Sequence, residues 1–127
     1  MKEVVLTSRG PKPIGPYSQA IKSNGFLFVS GQIALDPQSG EFAGSDVRQQ
    51  TERVLENLKG ILEAAGSSLK HVVKTTVFLA DMKLYAQMNE EYSRYFKPPF
   101  PARTTVQASP PRGALVEIDA IARKKSA

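Results

Sequence analysis

At 127 residues, 41% of them hydrophobic and 23% charged, the chain has the size and composition of one globular domain, spanning 1–127, with a single core. It contains no cysteine and one histidine, which excludes a disulfide, a thiol nucleophile, a cysteine-based metal centre and a histidine cluster. Seventeen Lys and Arg against twelve Asp and Glu leave a net charge of +5, which favours anions of either kind, small carboxylates or nucleic acid.

Lys2 to Leu6 reads as a short strand, and Pro11, Pro13, Gly15 and Pro16 then forbid regular structure. The rigid loop that results delivers Tyr17 to a defined place before Ser18 to Lys22 resumes a strand. The opening MKEVVLTSRG lacks the apolar centre of a signal peptide, and no apolar run approaches the roughly 20 residues of a membrane span. The expectation is a cytoplasmic protein with no membrane partner. Ser23-Asn24-Gly25 marks a hairpin turn into an apolar central strand, Phe26 to Ser30. Gly31 permits a bulge or a close backbone approach there, leaving Ser30 and the neighbouring amides free for a ligand.

The first helix is the clearest element. Asp46 is the candidate cap with Gln49 three positions on, Val54, Leu58, Ile61, Leu62 and Ala65 line one face, and Gly66 ends it. Ser67-Ser68-Leu69-Lys70 matches a serine-lysine catalytic motif by spacing only, without its companion motifs, and His71 reads as a surface residue. Val72 to Leu79 is a β-branched and aromatic strand that needs cover on both faces. Asp81 is placed as the cap of a second helix, whose Leu84, Tyr85, Met88, Tyr92, Tyr95 and Phe96 form an aromatic core stripe ended by Pro98 and Pro99. Asn89 lies off that stripe.

From Pro101 to Ala122 the sequence alternates with period two through two strands joined by Pro110-Pro111-Arg112-Gly113. Arg103, Thr105 and Gln107 share one face of the first strand, while Glu117 and Asp119 interrupt the apolar second one. If the two strands pair with their polar faces together, Arg103 comes within reach of Glu117 or Asp119. Two readings stay open: a solvated ion pair worth at most about 1 kcal/mol, or a pocket where Arg103 grips a substrate carboxylate and Glu117 handles water or a proton. The element order predicts an α+β fold, a single mixed β-sheet with two helices packed on one face. Its other face, apolar and uncovered, is expected to be buried against copies of the chain in a closed oligomer.

Six segments carry a resemblance: Ile14-Gly-Pro-Tyr17-Ser-Gln-Ala, Val29-Ser-Gly31-Gln, Val72-Val-Lys-Thr-Thr-Val77, Met88-Asn89, Phe100-Pro-Ala-Arg103 and Val116-Glu117-Ile-Asp-Ala-Ile-Ala122. Taken in order, they show that the chain resembles the reactive-intermediate deaminases, the RidA or YjgF-type imine and enamine deaminases. The resemblance implies a homotrimer of chorismate-mutase-like subunits, with a site in each intersubunit cleft. It also implies hydrolysis of 2-aminoacrylate and related imines to 2-keto acids and ammonia, without cofactor or metal. Carried across, Arg103 is the carboxylate anchor, Glu117 positions water and Tyr17 closes the cleft. Ser30 and Gly31 line the cleft, and Asn89 supports it. Thr105 stands where bacterial members often have cysteine, and Asp119 where many have glutamate. The rival expectations are an RNA-directed translation inhibitor or endoribonuclease, and a chaperone-like binding protein.

Overall fold

In the computed structural model, which describes residues 1–125, helix α1 (Val47–Ala64) begins where the Asp46 side chain accepts a hydrogen bond from the Gln49 N–H at 2.9 Å. Gln49 completes the cap differently from the expected box, because its Oε1 accepts from the N–H of Ser45 rather than of Asp46. The helix closes at Gly66, whose φ of 87° lets the Ser67 N–H return to the Leu62 carbonyl at 2.8 Å. Val54, Leu55, Leu58, Ile61 and Leu62 are fully buried, so the apolar stripe read from the sequence is the face that meets the sheet.

The six strands are β1 (Glu3–Val5), β2 (Ala20–Ser23), β3 (Phe26–Gln32), β4 (Val72–Leu79), β5 (Ala102–Gln107) and β6 (Val116–Arg123). They form one mixed sheet in the order β1-β2-β3-β6-β4-β5. All neighbours are antiparallel except β4 and β5, which are joined through helix α2 (Tyr85–Tyr92). That connection is a βαβ crossover, the only short way to bring a strand back parallel to its predecessor.

Register sorts the sheet into two faces. One row runs Val5, Ala20, Val29, Ala120, Thr75, Arg103 and lies under the helices. Beside it on the opposite face runs Val4, Ile21, Phe28, Ile121, Lys74, Ala102. The helix side holds the core, with Val77, Leu79, Val116 and Ile118 fully buried. Across the sheet Val4 is 64%, Phe28 45% and Val106 40% exposed, the apolar face that was expected to lie bare.

Two expectations need correction. β5 and β6 are not partners, because β4 lies between them and pairs with both. Helix α2 is also shorter than its aromatic stripe: Asp81 caps a 3-10 turn at Met82–Leu84, accepting from the Lys83 N–H at 2.8 Å, and the helix stops at Tyr92. Phe96 still reaches the core from the turns beyond, whereas Tyr85 stays at the surface.

Candidate functional site

The loop before β2 is shaped by one buried side chain. Gln19, 1% exposed, accepts from the Thr7 N–H at 2.9 Å and donates to the carbonyls of Thr7 and Pro11 at 3.1 and 3.0 Å. Prolines deny this loop a ladder of its own, so the Gln19 amide supplies the missing backbone partners and fixes the approach to Tyr17. Tyr17 stands at the mouth of a cleft of about 350 Å³ that Ser30, Gly31, Glu117, Lys12 and Arg112 also line.

The cleft owes its floor to an irregularity. Pairing of β3 with β6 slips between Val29 and Gln32, so Ser30 and Gly31 form a bulge opposite β6. A Cβ on Gly31 would overlap the Glu117 carboxylate, lying 2.9 Å from its Cδ, so the glycine vacates the space the acid occupies. Ser30 is not free, contrary to the sequence reading. Its hydroxyl donates to the Ser18 carbonyl at 2.6 Å and its N–H to the Gln19 carbonyl at 3.1 Å, so it ties the cleft wall to the Tyr17 loop.

Burial raises the Glu117 carboxyl above the ordinary glutamate range, and the negative charge of Asp119 on the same strand face adds to that. A proton is therefore held there to higher pH than on a solvated glutamate. The Asp119 carboxylate accepts from the Thr76 N–H at 3.1 Å, which keeps it in place beside Glu117.

Arg103 builds a second cluster between β5 and α2. Its guanidinium carbon lies 4.8 Å from the ring centroid of Tyr92 and 5.6 Å from that of Tyr85, and its Nη2 donates to the Tyr85 hydroxyl at 3.0 Å. Tyr92 is pinned in turn through a 2.8 Å hydrogen bond between its hydroxyl and Thr75 Oγ1. Thr105 follows two residues after Arg103 on the same strand face, and Asn89 follows Tyr85 by one helical turn. Asn89 Oδ1 and Thr105 Oγ1 are both buried without a hydrogen-bond partner among the described residues, which leaves two unsatisfied polar atoms in the layer that holds the arginine.

The predicted site residues thus fall into two groups. Tyr17, Ser30, Gly31 and Glu117 share one cleft, and Arg103, Thr105 and Asn89 share the β5–α2 layer. Within one chain the groups do not meet. Arg103 is level with Thr75 and Ala120 on the helix face, whereas Glu117 is level with Phe78 and Val106 on the bare face. Two strand spacings, roughly 9.5 Å, also separate β5 from β6. The intrachain approach of Arg103 to Glu117 or Asp119 is therefore ruled out by strand order and pleat together.

Sequence reading passed over Tyr85 and Tyr92 as core stripe. Their spacing of seven, with Asn89 between, places two hydroxyls and an amide along one side of α2, which is the signal that marked them. Among the described residues no three His, Cys, Asp or Glu side chains gather as a metal-ion site, and no helix is long and apolar enough to cross a membrane.

The family model described as Endoribonuclease L-PSP matches residues 7–124. A RutC family protein of Pyrococcus horikoshii is 56% identical over 126 residues, 98% of this chain and 100% of its own. The 2-iminobutanoate/2-iminopropanoate deaminase of Mus musculus is 46% identical over 123 residues, covering 96% of this chain and 91% of the mouse protein. Among solved structures, E. coli TdcF with bound serine has a TM-score of 0.91 and 38% identity, covering 97% of this chain and 99% of that one.

Proposed function

Because this chain belongs to the Endoribonuclease L-PSP family, whose members include RutC family proteins and an imine deaminase similar to it, we propose that it is a hydrolytic deaminase. Its substrates are 2-imino and 2-enamino acids such as 2-iminopropanoate and 2-aminoacrylate, and its products are 2-keto acids and ammonia. The site is completed between subunits of a homotrimer, with Arg103 of one copy facing Glu117 of the next. One observation carries this reading: an arginine posed between two tyrosines and an acid raised by burial lie on opposite faces of one sheet, with the acid on a bare apolar face. A neighbouring copy covering that face buries its apolar rows and brings the two groups together.

The chemistry follows from the groups assembled. Arg103 holds the substrate carboxylate with parallel N–H donors, and an enamine substrate gains a proton at carbon and loses one from nitrogen to become the imine. Water adds to the C=N carbon while ionised Glu117 accepts the water proton. Protonated Glu117 then returns that proton to nitrogen to give the carbinolamine. The same carboxylate next takes the hydroxyl proton and passes it to nitrogen, so that the C–N bond breaks and ammonia leaves as the C=O bond forms. Tyr17 closes the cleft, Gly31 makes room for the acid, and Asn89 and Thr105 supply polar contacts to the bound substrate. Since such imines also hydrolyse unaided, holding water beside the carbon supplies much of the acceleration.

The test generates 2-iminopropanoate with an amino-acid oxidase in the presence of an amine trap and follows its diversion to pyruvate. Folded Arg103→Ala should lose about 10- to 100-fold in kcat/KM, the cost of one or two charge-assisted hydrogen bonds. An unchanged rate removes the anchor role. The family description also names an endoribonuclease, and a charge of +5 is compatible with RNA. That reading predicts RNA cleavage with steep salt dependence that is lost in Arg103→Ala and Glu117→Gln.

A further inference from the structure

Resting on the proposed carboxylate-binding role of Arg103, the geometry points to Tyr85 as a further donor in the anion site. Its hydroxyl orients the arginine and donates a hydrogen bond to the carboxylate that the arginine binds.

Three observations lead there. The Tyr85 oxygen already accepts from Arg103 Nη2 at 3.0 Å, so the hydroxyl is spent as an acceptor on the guanidinium side and retains its proton for another partner. Tyr85 is 38% exposed, unlike Tyr92 at 6%, whose hydroxyl is already bonded to Thr75. Of the two tyrosines flanking Arg103, Tyr85 is thus the one a ligand can reach. Finally, the Asn89 amide and the Arg103 guanidinium both favour negative charge on the Tyr85 oxygen and lower its pKa, which makes the hydroxyl a stronger hydrogen-bond donor.

The consequence is selectivity. A carboxylate offers two oxygens, one for the guanidinium fork and one that can share the phenol proton, whereas an ester or amide presents a single good acceptor. Tyr85 thus biases the site towards free amino-acid-derived carboxylates.

The test compares wild type with Tyr85→Phe, which keeps the ring over Arg103, and Tyr85→Leu, which removes it. Pyruvate and methyl pyruvate are titrated by calorimetry, and KM and kcat are measured with 2-iminopropanoate. Tyr85→Phe should weaken pyruvate binding and raise KM about 10- to 100-fold, the worth of one hydrogen bond to a charged group, with kcat within about twofold and methyl pyruvate unaffected. If Phe behaves as wild type and only Leu is impaired, the ring acts by packing and the inference falls while the deaminase reading stands. It also falls if Phe lowers kcat instead of raising KM, or if wild type does not bind pyruvate. Pyruvate binding that depends on the Tyr85 hydroxyl in a protein that does not hydrolyse imines would leave the inference standing and remove the deaminase reading.

Discussion

The Glu117 carboxylate occupies the space that a side chain on Gly31 would fill. The bulge at Ser30 and Gly31 and the acid on β6 are therefore one construction, in which a missing Cβ sets where the carboxyl group stands. Gly31→Ala should push Glu117 aside. The expected loss is about 10- to 100-fold in kcat/KM, because small misplacements of a reacting group cost that much. Stability should fall by about 1–3 kcal/mol, as in other overpacked sites. Steady-state kinetics with denaturant melts separates the two effects, and a variant that keeps full activity would show that the acid can act from elsewhere.

Glu117 is held protonated to higher pH by burial and by Asp119, and the sign of the pH effect follows. For an acid raised in the folded state, the stabilisation is fully present below its unfolded pKa and is lost as pH rises through the folded one. Glu117→Gln should therefore gain stability relative to wild type as pH climbs above the ordinary carboxylate range. In catalysis, the limb of kcat/KM that reports ionisation of Glu117 should lie above that of a solvated glutamate. Asp119→Asn removes the nearby negative charge, so that limb should move to lower pH. A profile from about pH 4 to 8 reads this directly, and an unmoved limb would mean that another group is titrating.

Gln19 holds the Tyr17 loop by three hydrogen bonds from a buried position. Gln19→Leu keeps the volume but strands the Thr7 N–H and the Thr7 and Pro11 carbonyls. The expected cost is about 1–3 kcal/mol in thermal or denaturant unfolding, with a raised KM as Tyr17 loses its fixed place. A fully stable variant with unchanged KM would mean that water replaces the amide without consequence.

Much of this fold was legible because its elements are locally determined. Val72 to Leu79 is a strand at both ends where the β-branched run begins and stops, and Asp46 and Gly66 bracket α1 as its cap and terminator. What escaped was tertiary. Alternation in β5 and β6 gives each strand two faces, yet it cannot say that β4 slides between them, and that insertion sends Arg103 and Glu117 to opposite sides. A clue was present, since a strand, a helix and a strand in succession read as a parallel crossover, which makes β5 the neighbour of β4. Ser30 was misjudged for a similar reason. Its bonds go to Ser18 and Gln19, twelve and eleven positions away, in a loop whose path no periodicity describes.

The central claim, that each site is shared between two copies of the chain, is tested by mixing two impaired variants. Arg103→Ala and Glu117→Gln are each purified, combined in equal amounts, unfolded and refolded together, and assayed for diversion of 2-iminopropanoate to pyruvate. In a cyclic trimer with random mixing, about a quarter of the sites receive an intact arginine from one subunit and an intact acid from its neighbour, so activity should return to roughly that fraction of wild type. A mixture no more active than its components, from subunits shown by mass to have exchanged, would contradict the shared site.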